Sequence, residues 1–252
     1  MIQMLVKTIT KEKLTFLPSN VSVAVFPVTT KSCALLDKLE KQEMIGKERK
    51  PRVKISNRMK KLEKAYSDFL VQVKRIGSGI VTYIGGDEAY PIALAIAKKI
   101  KYSPSDVDLF VSVSLPALMK TAMKDQASQI MSDWCAQYTG QFISALINSS
   151  PDSDFTLHID AVPQPIGFLC YMNVKNVIVF GDVNDSFAYC MEGGNIRVEG
   201  NAELINNDIQ GGKLSVNGKI AGVSDRINHG NVFQYDRQLV KDGKIISQPE
   251  NK

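Results

Sequence analysis

The residues from Tyr83 to Ala89 carry the one arrangement in the first 150 positions that could do chemistry. Tyr83-Ile84-Gly85-Gly86-Asp87-Glu88-Ala89 reads as a strand end, a glycine pair and a helix start. Such a turn leaves backbone N–H groups free at the positive end of a helix dipole, a cradle for phosphate or another anion. Asp87 and Glu88 place negative charge at that spot, so the simpler role for Asp87 is the helix N-cap, with Glu88 favourable to the dipole. Open α/β sheets bind ligands at the carboxyl ends of their strands, which would bring Ser112 and Ser114 near the glycine pair. The candidate ligand-binding set is therefore Gly85, Gly86, Asp87, Glu88 and Ser114, with no residue assigned to catalysis. His158 and His229 stand far apart without metal-ligand spacing and read as surface or loop residues. Cys33, Cys135, Cys170 and Cys190 show no C-x-x-C spacing, and Cys190 reads as a small buried side chain. The sequence holds no G-x-S-x-G, G-x-x-x-x-G-K-[ST] or H-E-x-x-H pattern, and it names neither a metal nor a cofactor.

The elements that would position this set follow from apolar periodicity. Residues 2–8 and 21–26 are short β-rich runs, and 31–43 has a helical pattern. Met59, Leu62, Tyr66, Phe69 and Val73 recur at steps of three and four, an amphipathic stripe that belongs in a core. Residues 80–84 read as a strand. Residues 89–101 read as a helix with Ile92, Ile96 and Ile100 on one face and Pro91 in its first turn. Leu109, Val111 and Val113 alternate as a second strand. Ser114 then caps a helix carrying Met119, Met123, Ile130 and Trp134, which breaks near Gly140. Strand, helix, strand at these lengths makes a βαβ unit. The turn-forming passage 149–154 bounds an α/β domain over residues 1–150, with a second domain over 155–248.

That second domain repeats itself. Gly193-Gly194-Asn195-Ile196-Arg197-Val198-Glu199-Gly200 is answered by Gly211-Gly212-Lys213-Leu214-Ser215-Val216-Asn217-Gly218, each position keeping its place in the phrase. An earlier copy, Val177-Ile178-Val179-Phe180-Gly181, lacks the leading glycine pair, and its closing glycine precedes Gly200 by nearly the same interval. A near-constant period with the same alternation inside each unit indicates a solenoid. Val177, Val179, Ile196, Val198, Leu214 and Val216 would line its interior, and Arg197, Glu199, Ser215 and Asn217 would face water. Ile178 and Phe180 also face outward, so the rest of the chain is expected to cover that rung. The repeated glycines Gly181, Gly193, Gly194, Gly200, Gly211, Gly212 and Gly218 supply positive φ or room for close backbone approach at the corners.

The run V-x-V-x-G-D-V at 177–183, G-G-x-I-x-V-x-G-N-A at 193–202 and G-G-x-L-x-V-x-G-x-x-A-G at 211–222 resembles the glycine-rich GXGXG β-solenoid. That domain forms the C-terminal part of the glutamate synthase large subunit and the bulk of one subunit of formylmethanofuran dehydrogenase. One or two rungs are also similar to the β-helix of MinC-type division inhibitors. The resemblance implies a short right-handed parallel β-helix that spaces or docks other domains. Glu203-Leu204-Ile205-Asn206-Asn207 departs from it, standing where the family has small residues. Separately, Gly85-Gly86-Asp87-Glu88 resembles the G-G-D-E turn of diguanylate cyclases and the G-G-D-D palm of CRISPR polymerases. That likeness implies Asp87 and Glu88 holding a divalent metal over a nucleoside triphosphate. Palm enzymes need a further acidic residue from an earlier strand, and residues 21–26 carry none.

Composition bounds the remaining choices. In 252 residues, 44% are hydrophobic and 23% charged, which suits folded rather than disordered chain. The net charge of +5 is local: residues 47–61 hold eight cations against Glu48 alone. No aromatic interleaves them before Tyr66, so a solvated linker running onto a polar helix face is expected rather than a nucleic-acid contact. No apolar run approaches the ~20 residues of a membrane helix. Scattered cysteines and the absence of a leader in residues 1–13 place the chain in the cytoplasm. The expectation for function is a non-catalytic scaffold or interaction protein whose solenoid mediates self-association or docks a protein partner. Two alternatives stand beside it: a nucleotide-handling enzyme using Asp87 and Glu88, and a MinC-like regulator with a dimerising β-helix.

Overall fold

The computed structural model describes residues 56–77, 86–124, 129–184, 186–205 and 208–250. The β-rich runs at 2–8 and 21–26, the helix at 31–43, the cationic passage up to position 55 and the strand at 80–84 lie outside them. The described elements begin with helices α1 (Asn57–Gly77), α2 (Gly86–Ala97) and α3 (Pro104–Leu109). A π-helical turn (Phe110–Ser114), α4 (Leu115–Lys124) and α5 (Gln129–Ser149) follow. Strands β1 (Asp154–His158), β2 (Asn176–Phe180), β3 (Asn195–Val198), β4 (Ala202–Ile205) and β5 (Lys213–Val216) come next. The last are β6 (Ile220–Val223), β7 (Asn231–Gln234), β8 (Arg237–Lys241) and β9 (Lys244–Ile245).

The solenoid spans residues 154–234. Strands β1, β2, β3, β5 and β7 stack in parallel, and each first residue sits opposite the next: Asp154, Asn176, Asn195, Lys213, Asn231. The circuit from Asp154 to Asn176 is the longest, and the last two circuits are equal. The stack therefore extends one rung beyond the glycine pattern at each end. A second wall forms from β4 and β6, extended by a bridge between Val183 and Ala202. Main-chain bonds also tie the intervening loops, coil upon coil: Ala188 N donates to Leu169 O, Gln210 N to Met191 O and Asn228 N to Ile209 O. Two interior columns fill the tube. One is Phe155, Val177, Ile196, Leu214 and Val232; the other is Leu157, Val179, Val198, Val216 and Gln234. All ten are buried. An aliphatic pair contributes roughly 3–6 kcal/mol per rung before chain entropy is subtracted.

The corner glycines are used unequally. A Cβ at Gly200 would overlap the carbonyl of Gly181, and one at Gly218 the carbonyl of Gly200, so this column exists to let backbones touch. A Cβ at Gly193 would meet nothing.

The helical part departs from the expected βαβ unit. Residues 109–113 are not a strand but the end of α3 and the π-helical turn. Phe110 and Val111 are both buried, as are Ser114 and Leu115, whereas a one-sided strand buries only alternate residues. The helix is nucleated upstream. Ser103 and Asp106 form a reciprocal capping box with Pro104 in the first turn, and helical backbone then runs unbroken to Lys124. Ser114 is thus inside a helix and caps nothing. Pro91 lies within α2, beyond its first turn, and Asp87 is the second residue of that helix rather than its cap.

In α2 the buried positions are Ala89, Tyr90, Ala93 and Ala97, while Ile92, Ile96 and Ile100 are half-covered. Small side chains let α2 approach α5 closely, and that contact outranks hydrophobicity in choosing the face. The α1 stripe of Met59, Leu62, Tyr66, Phe69 and Val73 is buried throughout. Helix α5 does not break at Gly140 but continues to Ser149. Helices and coils share one hydrophobic core. No helix among the described residues is long and apolar enough to cross a membrane.

Candidate functional site

Of the expected anion cradle, only part falls among the described residues. Gly85 lies outside the described residues, and Gly86 opens α2. Glu88 is exposed on α2; burial, and after it the Glu88 charge, raises the Tyr138 phenol on α5. The Ser114 hydroxyl donates to Glu63 Oε1 on α1 at 2.6 Å. That bond satisfies a nearly buried group and ties the π-helical turn to α1, which is a packing role.

Two other clusters are built by the fold. The first is a groove of about 240 Å³ on the outer face of β1, β2 and β3, lined among others by Asp154, Thr156, Asn176, Ile178, Asn195 and Arg197. Its carboxylate and amides are already engaged with one another. Asn195 Nδ2 donates to Asn176 Oδ1, and Asn176 Nδ2 donates to Asp154 Oδ1, each at 2.9 Å. Bonds from Ser153 and Asn176 hold the Asp154 carboxyl below its ordinary value. Arg197 pairs with Glu199, whose carboxyl is lowered chiefly by a bond from Asn217 Nδ2 at 2.8 Å. Such ladders between equivalent residues of successive coils stabilise a stack but leave few free groups to grip a ligand. Ile178 and Phe180 are partly buried.

The second cluster is the joint between helices and first coil. Asp108 on α3 accepts the main-chain N–H of His158 at 2.9 Å, and its two oxygens lie 3.0 and 3.1 Å from His158 Nδ1. The imidazole stacks on Phe180 of the next rung, centroids 4.7 Å apart and planes 4° from parallel. An aspartate on Nδ1 fixes a histidine as in hydrolytic and metal sites, leaving Nε2 as the second ring nitrogen. The described residues do not supply the companions of such a site. Ser112 donates its hydroxyl to the main chain of Asp108, and no three His, Cys, Asp or Glu side chains converge among the described residues. Sequence reading gives His158 and Asp108 no joint role, because they are far apart along the chain and only the fold of α3 against β1 brings them together.

Titratable groups elsewhere serve the core. Tyr66 and Thr139 share a bond of 2.6 Å, Thr139 donates to the carbonyl of Cys135, and burial pushes the Tyr66 phenol far up. Burial likewise raises the thiols of Cys135 and Cys170. Because the folded values lie above the unfolded ones, the stability these thiols add is complete below the ordinary thiol range. It is lost as pH rises through that range toward the folded values. Urea resistance should therefore decline between about pH 8 and about pH 10. In folded protein at the lower pH, Cys135 and Cys170 should resist a thiol reagent until denaturant is added, and prompt labelling of Cys170 would contradict this assignment. In comparisons with known proteins, no family model, no curated protein and no solved structure matches the chain.

Proposed function

We propose that this chain is a non-catalytic interaction protein whose solenoid, of the right-handed GXGXG-like kind, is a rigid element for self-association or for docking a protein partner. The observation that carries the reading is the common core joining α1, α2 and α5 to the coils. Rigid coupling of this kind suits a part that sets distances between other parts. The state of the polar groups supports it too. The carboxylates and amides of the sheet face bond to neighbouring coils, and the buried phenols and thiols are protonated and packed. A reducing compartment such as the cytoplasm fits the buried thiols of Cys135 and Cys170. Light scattering on the eluting full-length protein, over a hundredfold range of concentration, tests the reading. An assembled species or a defined protein complex is expected. A monomer at every concentration, with no partner co-purifying, would overturn it.

A further inference from the structure

The two ends of the tube are closed differently. At the first end β1 is the edge strand, and it is covered by α3 and the π-helical turn, with the His158 main chain bonded to Asp108. At the other end β7 is covered by its own sequel. Residues 235–250 turn back as β8 and β9, and β8 runs antiparallel to β7. The pairing slips between Val232 and Phe233, so that Leu239 and Val240, adjacent in sequence, are both buried over the last rung.

Two features mark this segment as a strap and not as one more coil. The interior column that reads Leu157, Val179, Val198, Val216 ends in Gln234. The Gln234 amide donates to the carbonyls of Gly218 and Glu250 and accepts the Glu250 main-chain N–H at 2.8 Å, pinning the tail across the opening. The first hairpin turn passes through a bulky left-handed residue, Tyr235 at φ 53°, so that connection carries backbone strain, whereas Asp242-Gly243 is a pair that a tight hairpin favours. On the strap itself, Tyr235 and Ile246 are more than half exposed.

We infer that the strap occupies the seat of a second copy of this chain, and that its release lets two molecules join through β7. Two identical strands related by a two-fold axis pair antiparallel, and that is the direction β8 already takes against β7. A strained two-residue connection, Tyr235-Asp236, is the kind of hinge that permits such an exchange. Since helices block the other end, the product is a closed dimer and not a filament. This deepens the self-association reading and rests on it.

Sedimentation equilibrium on full-length Gln234→Val tests the strap, with hydrogen exchange at β8 as a second readout. Valine restores the aliphatic column and removes both side-chain bonds that Gln234 makes to Glu250 while leaving the main-chain pairing with β8. Relative to the parent, β8 amides should exchange at least tenfold faster and the dimer should form at a tenfold lower concentration. Faster exchange without more dimer overturns the inference, as does unchanged exchange or any species larger than a dimer. A parent that is monomeric and without partners sinks the scaffold reading alone, provided Gln234→Val still dimerises. An oligomeric parent unchanged by the substitution sinks only the strap.

Discussion

Gly140→Ala is expected to destabilise the protein by roughly 3–5 kcal/mol, although alanine is the better helix former. Helix α5 crosses the first coil at this point. A Cβ at position 140 would overlap the carbonyl oxygen of Gly167 and lie 2.7 Å from Leu169 N, both backbone atoms that cannot rotate aside. The helix would have to lift. One turn along, Ser144 Oγ donates to Phe168 O or Gly140 O and accepts from Tyr171 N. A further turn along, Asn148 Nδ2 reaches the carbonyls of Tyr171 and Met172. Positions 140, 144 and 148 form one stripe of α5, so a shift at the glycine stretches all of these bonds together. Urea unfolding followed by circular dichroism reads the effect. A midpoint within error of the parent would mean that α5 does not seat on the coil as described.

Phe142→Ala should cost about 3–5 kcal/mol by a different route. Its ring is fully buried, edge-on to Tyr66 at 5.4 Å and to Phe110 at 6.2 Å, and tilted against Phe69 at 5.4 Å. These partners come from α1 and from the π-helical turn, so one cavity loosens three helical segments at once. Phe142→Leu, which keeps most of the volume, should lose about half as much or less. Near-ultraviolet circular dichroism should weaken in the alanine variant through the neighbouring Tyr66. If both variants melt together with the parent, the aromatic cluster is not the keystone of the helical part.

The solenoid is plain in the sequence, for a physical reason. Each coil contacts its neighbours in register, so every rung needs the same inward pair at the same spacing, and Val177/Val179, Ile196/Val198 and Leu214/Val216 supply it. The outer rungs are harder to see, because Phe155/Leu157 and Val232/Gln234 lack the full glycine phrase. One cue is nonetheless present. Phe168-Leu169-Cys170-Tyr171-Met172 returns as Phe187-Ala188-Tyr189-Cys190-Met191 at the interval that separates Gly181 from Gly200, which carries the period one coil further back.

The helical part misleads where local alternation and tertiary burial disagree. Leu109, Val111 and Val113 alternate like a strand, yet Phe110 is the fully buried ring and Val113 is 44% exposed. Ser103-Pro104-Ser105-Asp106, a helix start with proline in the first turn, is the signal that decides between the two. The candidate site is scarcely legible. Asp108 with His158, and Gln234 with Glu250, are pairs made by topology, and nothing in their local sequence announces the partner.

The constant circuit length between β3, β5 and β7 sets what kinds of genetic change the chain can absorb. A substitution on the outer wall disturbs one ladder. A residue inserted inside β5, between Leu214 and Val216, would turn the inward residue after it outward, because neighbouring side chains on a strand point to opposite faces, whereas the loops between strands already differ in length from circuit to circuit. Duplication or loss of one whole circuit keeps every inward position inward and both closures intact. The length of this molecule can thus change by whole circuits, or within its loops, far more easily than inside its strands.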